Sequence, residues 1–135
     1  LDQFDQRLVG VHVRRGDYLR FPTIHPTCPV EYYKEAFKMF EDCIYIVASD
    51  DINWCHNNLD ADNVIFSNCT SELEDMYLLT QCDDSILSNS SFAWWGSFLG
   101  KHKKRVVAPS VWFGPDGPQD YYDMYREDWV KIDVA

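Results

Sequence analysis

Two adjacent arginines stand in the segment Val11-His12-Val13-Arg14-Arg15-Gly16-Asp17, directly after a run of β-branched residues and directly before a glycine. The chain carries 22 acidic against 12 basic side chains, a formal charge of −10. In so acidic a protein a pair of guanidinium groups at a strand end is a strong local cation site, and its planar forks match phosphate oxygens two bonds at a time. A second polar segment, Ser88-Asn89-Ser90-Ser91, precedes an apolar run. A helix that starts on serine caps offers backbone N–H groups and the positive end of its dipole to phosphate oxygens. Ser49-Asp50-Asp51 and Asp75 complete the polar set, and a carboxylate such as Asp75 suits a base edge or a ribose hydroxyl better than a phosphate. The composite is a pocket for a nucleotide diphosphate.

Each signal alone has a plainer reading. Arg14 and Arg15 pair about equally well with acids on a solvated surface, and His12 inside an apolar strand is more often a satisfied core histidine than a catalyst. Ser90 and Ser91 are by default only a helix cap, and Trp94-Trp95 is by default core packing. Arg15-Gly16-Asp17 spells an adhesion tripeptide, but the turn after a strand is a poor display loop.

The elements that must position these residues follow from period and punctuation. Leu8–Val13 reads as a buried strand and Cys43–Ala48 as another, both rich in β-branched residues. Between them the prolines at 22, 26 and 29 forbid regular structure, and Pro29 opens a helix running to Phe40. Ser49-Asp50-Asp51 caps a helix from Ile52 to Leu59; Asn63–Phe66 is the next strand; Ser71-Glu72-Leu73-Glu74 is a capping box for a helix to about Cys82. Ser85–Leu87 is a short strand, Phe92–Leu99 a helix and Arg105–Ala108 a further strand, after which residues 109–135 form a loop, a helical turn and a tail that packs back on the sheet. Strands alternating with helices of this length predict an α/β fold, a Rossmann-like parallel sheet with helices on both faces. Ligands of such sheets bind beyond the carboxyl ends of the strands, where the polar segments fall.

Composition bounds the rest. The negative charge excludes a non-specific nucleic-acid coat, and 46% hydrophobic residues supply the core of one domain. No stretch approaches the roughly 20 apolar residues of a membrane helix. The five cysteines, at 28, 43, 55, 69 and 82, include no CxxC pair; they read as thiols rather than a disulfide framework, and no metal site is expected. Asn68-Cys69-Thr70 and Asn89-Ser90-Ser91 fit the glycosylation pattern, which arises often by chance. Leu1, with a strand so soon after it, reads as a chain entered mid-protein.

The ordered series His12-Val13-Arg14-Arg15-Gly16-Asp17-Tyr18, Tyr32-Tyr33, Ser49-Asp50-Asp51, Glu74-Asp75-Met76-Tyr77-Leu78 and Ser88-Asn89-Ser90-Ser91-Phe92-Ala93-Trp94-Trp95-Gly96 strongly resembles the α-1,2-fucosyltransferases of glycosyltransferase family 11, over about residues 8–113. The resemblance implies the donor-binding domain of a GT-B arrangement and an inverting transfer of fucose from GDP-fucose to the 2-hydroxyl of a galactose-containing glycan, with no cofactor and no metal. It implies that Arg14 binds the β-phosphate, that Arg15 supports the nucleotide or the local fold, and that His12 and Asp17 hold the arginine loop and contact the donor. Ser49 and Asp50 join the donor site, Asp75 accepts from guanine or ribose, and Asn89, Ser90 and Ser91 cradle the phosphates. Arg14, Asp17 and His25 are the catalytic candidates, the last two as general base. An acceptor-side domain before the arginine segment is expected but missing from this sequence. The alternative is a free-standing GDP-sugar-binding domain without transfer. The setting implied is the cytoplasm of a bacterial or viral member, or else a Golgi lumen reached through an anchor outside this sequence.

Overall fold

The computed structural model describes residues 6–67, 71–98, 105–121, 125–126 and 128–134. Its elements in chain order are β1 Arg7–Val13, α1 Val30–Phe37, β2 Cys43–Ser49, α2 Ile52–Asn58, β3 Val64–Phe66, α3 Glu72–Thr80, β4 Asp84–Ile86, α4 Ser91–Phe98, β5 Val106–Pro109 and β6 Val130–Ile132, with a 3₁₀ turn at Gly16–Arg20. The strands form one sheet in the order β3-β2-β1-β4-β5-β6, and each adjacent pair is parallel.

Alternation along β1 divides the core. Val9, Val11 and Val13 turn to one face, where they meet Tyr32, Tyr33 and Ala36 of α1 and Cys55 of α2. Leu8 turns to the other face and packs with Cys82 and Leu78 beneath α3. Farther along that face Ala93 of α4 packs on Leu87, Val106 and Ala108. Helices therefore cover both faces, as the alternation of elements predicts. Gly10 lies in the same strand on the α3 side, and a Cβ there would come within 3.1 Å of Leu79 and 3.2 Å of the Cys82 sulfur. The missing side chain is what lets α3 lie close on the sheet.

Helix starts are set by side-chain caps. Asp51 accepts from the Trp54 amide at 3.3 Å at the start of α2, and Ser71 accepts from Glu74 at the start of α3. Pro29 sits at the cap position of α1 rather than inside it, and α1 ends at Phe37, three residues before the expected end. Lys38 to Phe40 continue as a tightened turn, with Met39 bonded back to Ala36 and Phe40 to Phe37. Asp42, with φ of 51°, then redirects the chain into β2.

At the amino edge of the sheet Arg7 grips the fully buried Asp84 with both Nε and Nη2, the latter at 2.7 Å from Oδ1, and Asp83 accepts from the Leu8 amide at 2.8 Å. These bonds fix β1 against β4 at the end remote from the polar segments. The tail is a correction in kind: Val130–Ile132 does pack back, but as a sixth parallel strand beside β5, with Trp129 buried against Leu87 and Val106. Three residues are too few to show a strand period in sequence.

Gly10→Val should lower stability by about 2 kcal/mol through overpacking against α3. The reading is a reduced urea midpoint at unchanged slope; a midpoint equal to that of the parent would show that α3 does not rest on this strand.

Candidate functional site

The strand order reverses between β1 and β4, since successive strands run outward from β1 through β2 to β3, and then outward the other way from β4 through β5 to β6. The loops after β1 and β4 diverge above that join and open a crevice, the position where open α/β sheets take ligands. The loop after β1 brings Arg14 and Arg15; the loop after β4 brings Ser88, Asn89 and Ser90 and leads directly into α4.

One carboxylate shapes the arginine loop. Asp50, after β2, accepts from the Arg15 amide at 2.9 Å through Oδ1 and lies 3.3 Å from Arg14 Nη1 through Oδ2. A Cβ on residue 16 would collide with that same Oδ2, so any other residue there would push the Asp50 carboxylate aside. The two guanidinium groups then part. Arg15 turns to α2, where Nε lies 3.3 Å from Asp51 and the guanidinium stacks 4.4 Å over the Trp54 ring. Arg14 stays at the crevice, 5.1 Å over the Tyr18 ring.

Two bonds then span the crevice from the β1 side to the β4 side. His12 Nδ1 and Ser88 Oγ are 2.7 Å apart, both buried, and the imidazole lies 4.9 Å from the Phe92 ring of α4. Burial, reinforced by the positive charge of Arg14, lowers the His12 pKa to about 3, so the ring is neutral at physiological pH. Tyr18 donates to the Asn89 carbonyl at 2.9 Å. Its hydroxyl pKa is raised, chiefly by burial, which keeps the phenol a donor.

The other expected site residues fall as follows. Ser49 donates to the Val13 carbonyl at 2.7 Å and accepts from the Asp51 amide at 2.9 Å, so its hydroxyl ties β1 to the α2 cap. Asp75, in the first turns of α3, accepts from Ser67 at the end of β3 at 2.7 Å. Two strand spacings, about 10 Å, separate β3 from β1, so Ser67, with Asp75 bonded to it, stands two strands along the same edge from the arginine loop. Asn89 is 2% exposed, and its amide donates to the carbonyls of Pro26 at 2.6 Å and Trp112 at 3.1 Å, so both N–H groups are engaged by the protein itself. Ser90 caps α4 by accepting from the Phe92 amide at 3.2 Å. His25 stacks on Tyr18 at 4.6 Å and lies 5.7 Å from Phe113, and its buried Nδ1 has no hydrogen-bond partner among the described residues. The side chains of Asp17 and Ser91 lie outside the described residues.

Sequence reasoning passed over Tyr18, Trp54 and Ser67 as contributors to this edge. Tyr18 had a signal, four residues after Arg14 and so on the same side of a helical turn. Trp54 had one of the same kind, three residues after the Asp51 cap. Ser67 had none, because its bond to Asp75 depends on how α3 is set against β3. Among the described residues no three His, Cys, Asp or Glu side chains converge as metal ligands, and no helix is long and apolar enough to cross a membrane. Cys28, Cys43, Cys55 and Cys82 are buried free thiols, with Cys28 pushed up to about 12 mainly by burial; Cys69 lies outside the described residues.

Residues 3–133 match the sequence profile of glycosyl transferase family 11. The O-antigen biosynthesis glycosyltransferase WbnK of Escherichia coli is 35% identical over 91% of this chain and 44% of its own length. An alpha-1,2-colitosyltransferase of Escherichia coli is 33% identical over 93% of the chain and 47% of its own length. Galactoside alpha-(1,2)-fucosyltransferase 1 of Bos taurus is 36% identical over 67% of the chain and 29% of its own length. The chain thus spans less than half the length of each of these relatives.

The neutral, buried His12 predicts an acid-sensitive fold. Its folded pKa of about 3 lies below the 6.5 of an exposed imidazole, so as the pH falls from 6.5 the unfolded chain takes up a proton that the folded chain refuses, and stability declines through that window. At pH 5 the loss from this group is about 2 kcal/mol. His12→Asn, which does not titrate, should shrink the difference in urea midpoint between pH 7 and pH 5; an unchanged difference would mean that His12 is not held neutral.

Proposed function

The chain belongs to glycosyl transferase family 11, and we propose that it forms the donor-binding half of a galactoside α-1,2-fucosyltransferase, holding GDP-fucose with its diphosphate between Arg14 and the start of α4. The observation that carries this reading is the parting of the two arginines. Asp50 and Tyr18 present Arg14 at the crevice, while Asp51 and Trp54 withdraw Arg15 into the fold. One guanidinium facing a helix N-terminus across a strand-order switch is a site for a diphosphate. Ser67 and Asp75, at the end of β3 two strands along the same edge, suit guanine or ribose.

In the transfer the acceptor 2-hydroxyl oxygen attacks the fucose anomeric carbon from the face opposite GDP. The bond from that carbon to the β-phosphate oxygen breaks with its electron pair remaining on GDP, and the hydroxyl proton passes to a base. Negative charge grows on the departing phosphate, where Arg14 and the positive end of α4 stabilise it without a metal ion. Of the base candidates, His25 has a buried Nδ1 beside Tyr18 with no partner among the described residues, and Asp17 follows the two arginines in sequence. The roles of His12, Ser49, Asp50 and Asn89 are to position: each engages another part of the protein around the crevice. The galactose-containing acceptor would be held largely by the portion of a full-length relative that this chain does not span. The two bacterial relatives, which cover most of the chain, support a cytoplasmic setting.

Calorimetric titration with GDP tests the reading. Arg14→Ala should weaken GDP about 10- to 100-fold, the worth of a charge-assisted hydrogen bond. Arg105→Ala removes a charge that lies over Phe40, before β5 and at the amino edge of the sheet, and should change affinity less than about twofold. Binding should persist in EDTA. Equal losses in the two variants, or loss of binding on chelation, would overturn it.

A further inference from the structure

The register of the two central strands sets Arg14 and Asp50 beside each other. Val13 lies opposite Ser49, so the residues that follow leave neighbouring strand ends together. Asp50 is anchored on both sides. Before it, the Ser49 hydroxyl donates to the Val13 carbonyl at 2.7 Å; after it, Asp51 caps α2. Its carboxylate divides its oxygens, Oδ1 accepting from the Arg15 amide at 2.9 Å and Oδ2 lying 3.3 Å from Arg14 Nη1.

The two oxygens do different work. Oδ1 alone fixes the loop backbone, because it satisfies the Arg15 amide. Oδ2 adds a negative oxygen at the guanidinium that the proposed function assigns to the diphosphate. Gly16 makes room for it, since Oδ2 is the atom nearest to where a Cβ on residue 16 would stand. Both side chains of the pair are about a quarter exposed, so water and an incoming anion reach it.

We infer that Asp50 is a positioning residue for nucleotide release: its Oδ2 takes Arg14 back as GDP departs; the inference rests on the donor reading above. A phosphate oxygen and Oδ2 compete for the same guanidinium, so one replaces the other. As the phosphate withdraws, the charge of Arg14 is left facing the positive end of α4, and that repulsion resists departure. A carboxylate anchored by its other oxygen compensates the charge at once, with no movement of its backbone. On the way in, the contact between Asp50 and Arg14 must be broken, which offsets the help that the exchange gives to association. Release is therefore the rate that Asp50 sets. A carboxylate that merely repelled the phosphate would instead slow association.

Stopped-flow displacement of fluorophore-labelled GDP from the whole chain measures release directly. Asp50→Asn keeps a carbonyl oxygen for the Arg15 amide and removes the charge beside Arg14. It should slow release about two- to fivefold, the range of a partly exposed ion pair, and leave association within about twofold. Gly16→Ala, whose methyl displaces Oδ2 while the charge is kept, should slow release in the same direction, and it decides the matter where the asparagine variant fails to fold. In an Arg14→Ala background Asp50→Asn should leave release unchanged, because Asp50 acts through that arginine. Release as fast as in the parent, a gain confined to association, or equal slowing in the Arg14→Ala background would overturn the inference and leave the donor reading standing. Failure of the parent chain to bind GDP at all would overturn both.

Discussion

The reversal of strand order between β1 and β4 is the constraint on which the site depends. Because β1 leads away to α1 on one face and β4 leads to α4 on the other, the two connections part at their join, and the loops at that point form a crevice. A crevice between two strand ends is held open or shut by what spans it. Here the spanning bonds are His12 to Ser88 and Tyr18 to Asn89, while Arg7 and Asp84 clamp the same two strands at the opposite edge. The join is therefore fixed at both ends, and Arg14 stands above a rigid floor.

The acidic excess of the chain has a local use at this floor. A lone arginine facing a helix N-terminus would be repelled by its positive end and would sample many rotamers. Asp50 offsets that charge and limits the rotamers, at the cost of competing with an incoming phosphate. With both side chains about a quarter exposed and Nη1 3.3 Å from Oδ2, the pair is open to screening by water, and a doubly charged diphosphate can outcompete it. Asp51 and Trp54 act on Arg15 in the opposite sense, removing its charge from the crevice by a pairing and a stack. Two neighbouring residues of one type thus serve different ends, because Asp50 fixes the backbone between them.

Much of this was legible in the sequence, and the reasons are physical. Strand and helix identity followed from β-branched runs, from caps at Asp51 and Ser71, and from the alternation of the two element types. The arginine segment and the serine-rich segment were readable as neighbours at one edge of the sheet because both fall at strand ends. What was not legible depends on contacts distant in sequence. Asn89 reads as a phosphate ligand, but its amide hydrogens are taken by Pro26 and Trp112, and no local pattern reports that. The β6 strand is too short to carry a period, and the β1 and β5 loops are bonded across more than 80 residues of chain. His12 reads more readily as a core histidine than as a ligand, and its buried bond to Ser88 shows how it serves the crevice from within the sheet.

The claim at the centre is that the diphosphate of a sugar nucleotide sits at the β1–β4 join, and a crystal structure of this chain with GDP bound tests it most directly. The account predicts phosphate oxygens within hydrogen-bond distance of Arg14 and of the first turn of α4, with Asp50 released from Arg14 and Arg15 still on Trp54. GDP seated elsewhere on the sheet edge, or held by Arg15 with Arg14 still on Asp50, would contradict it.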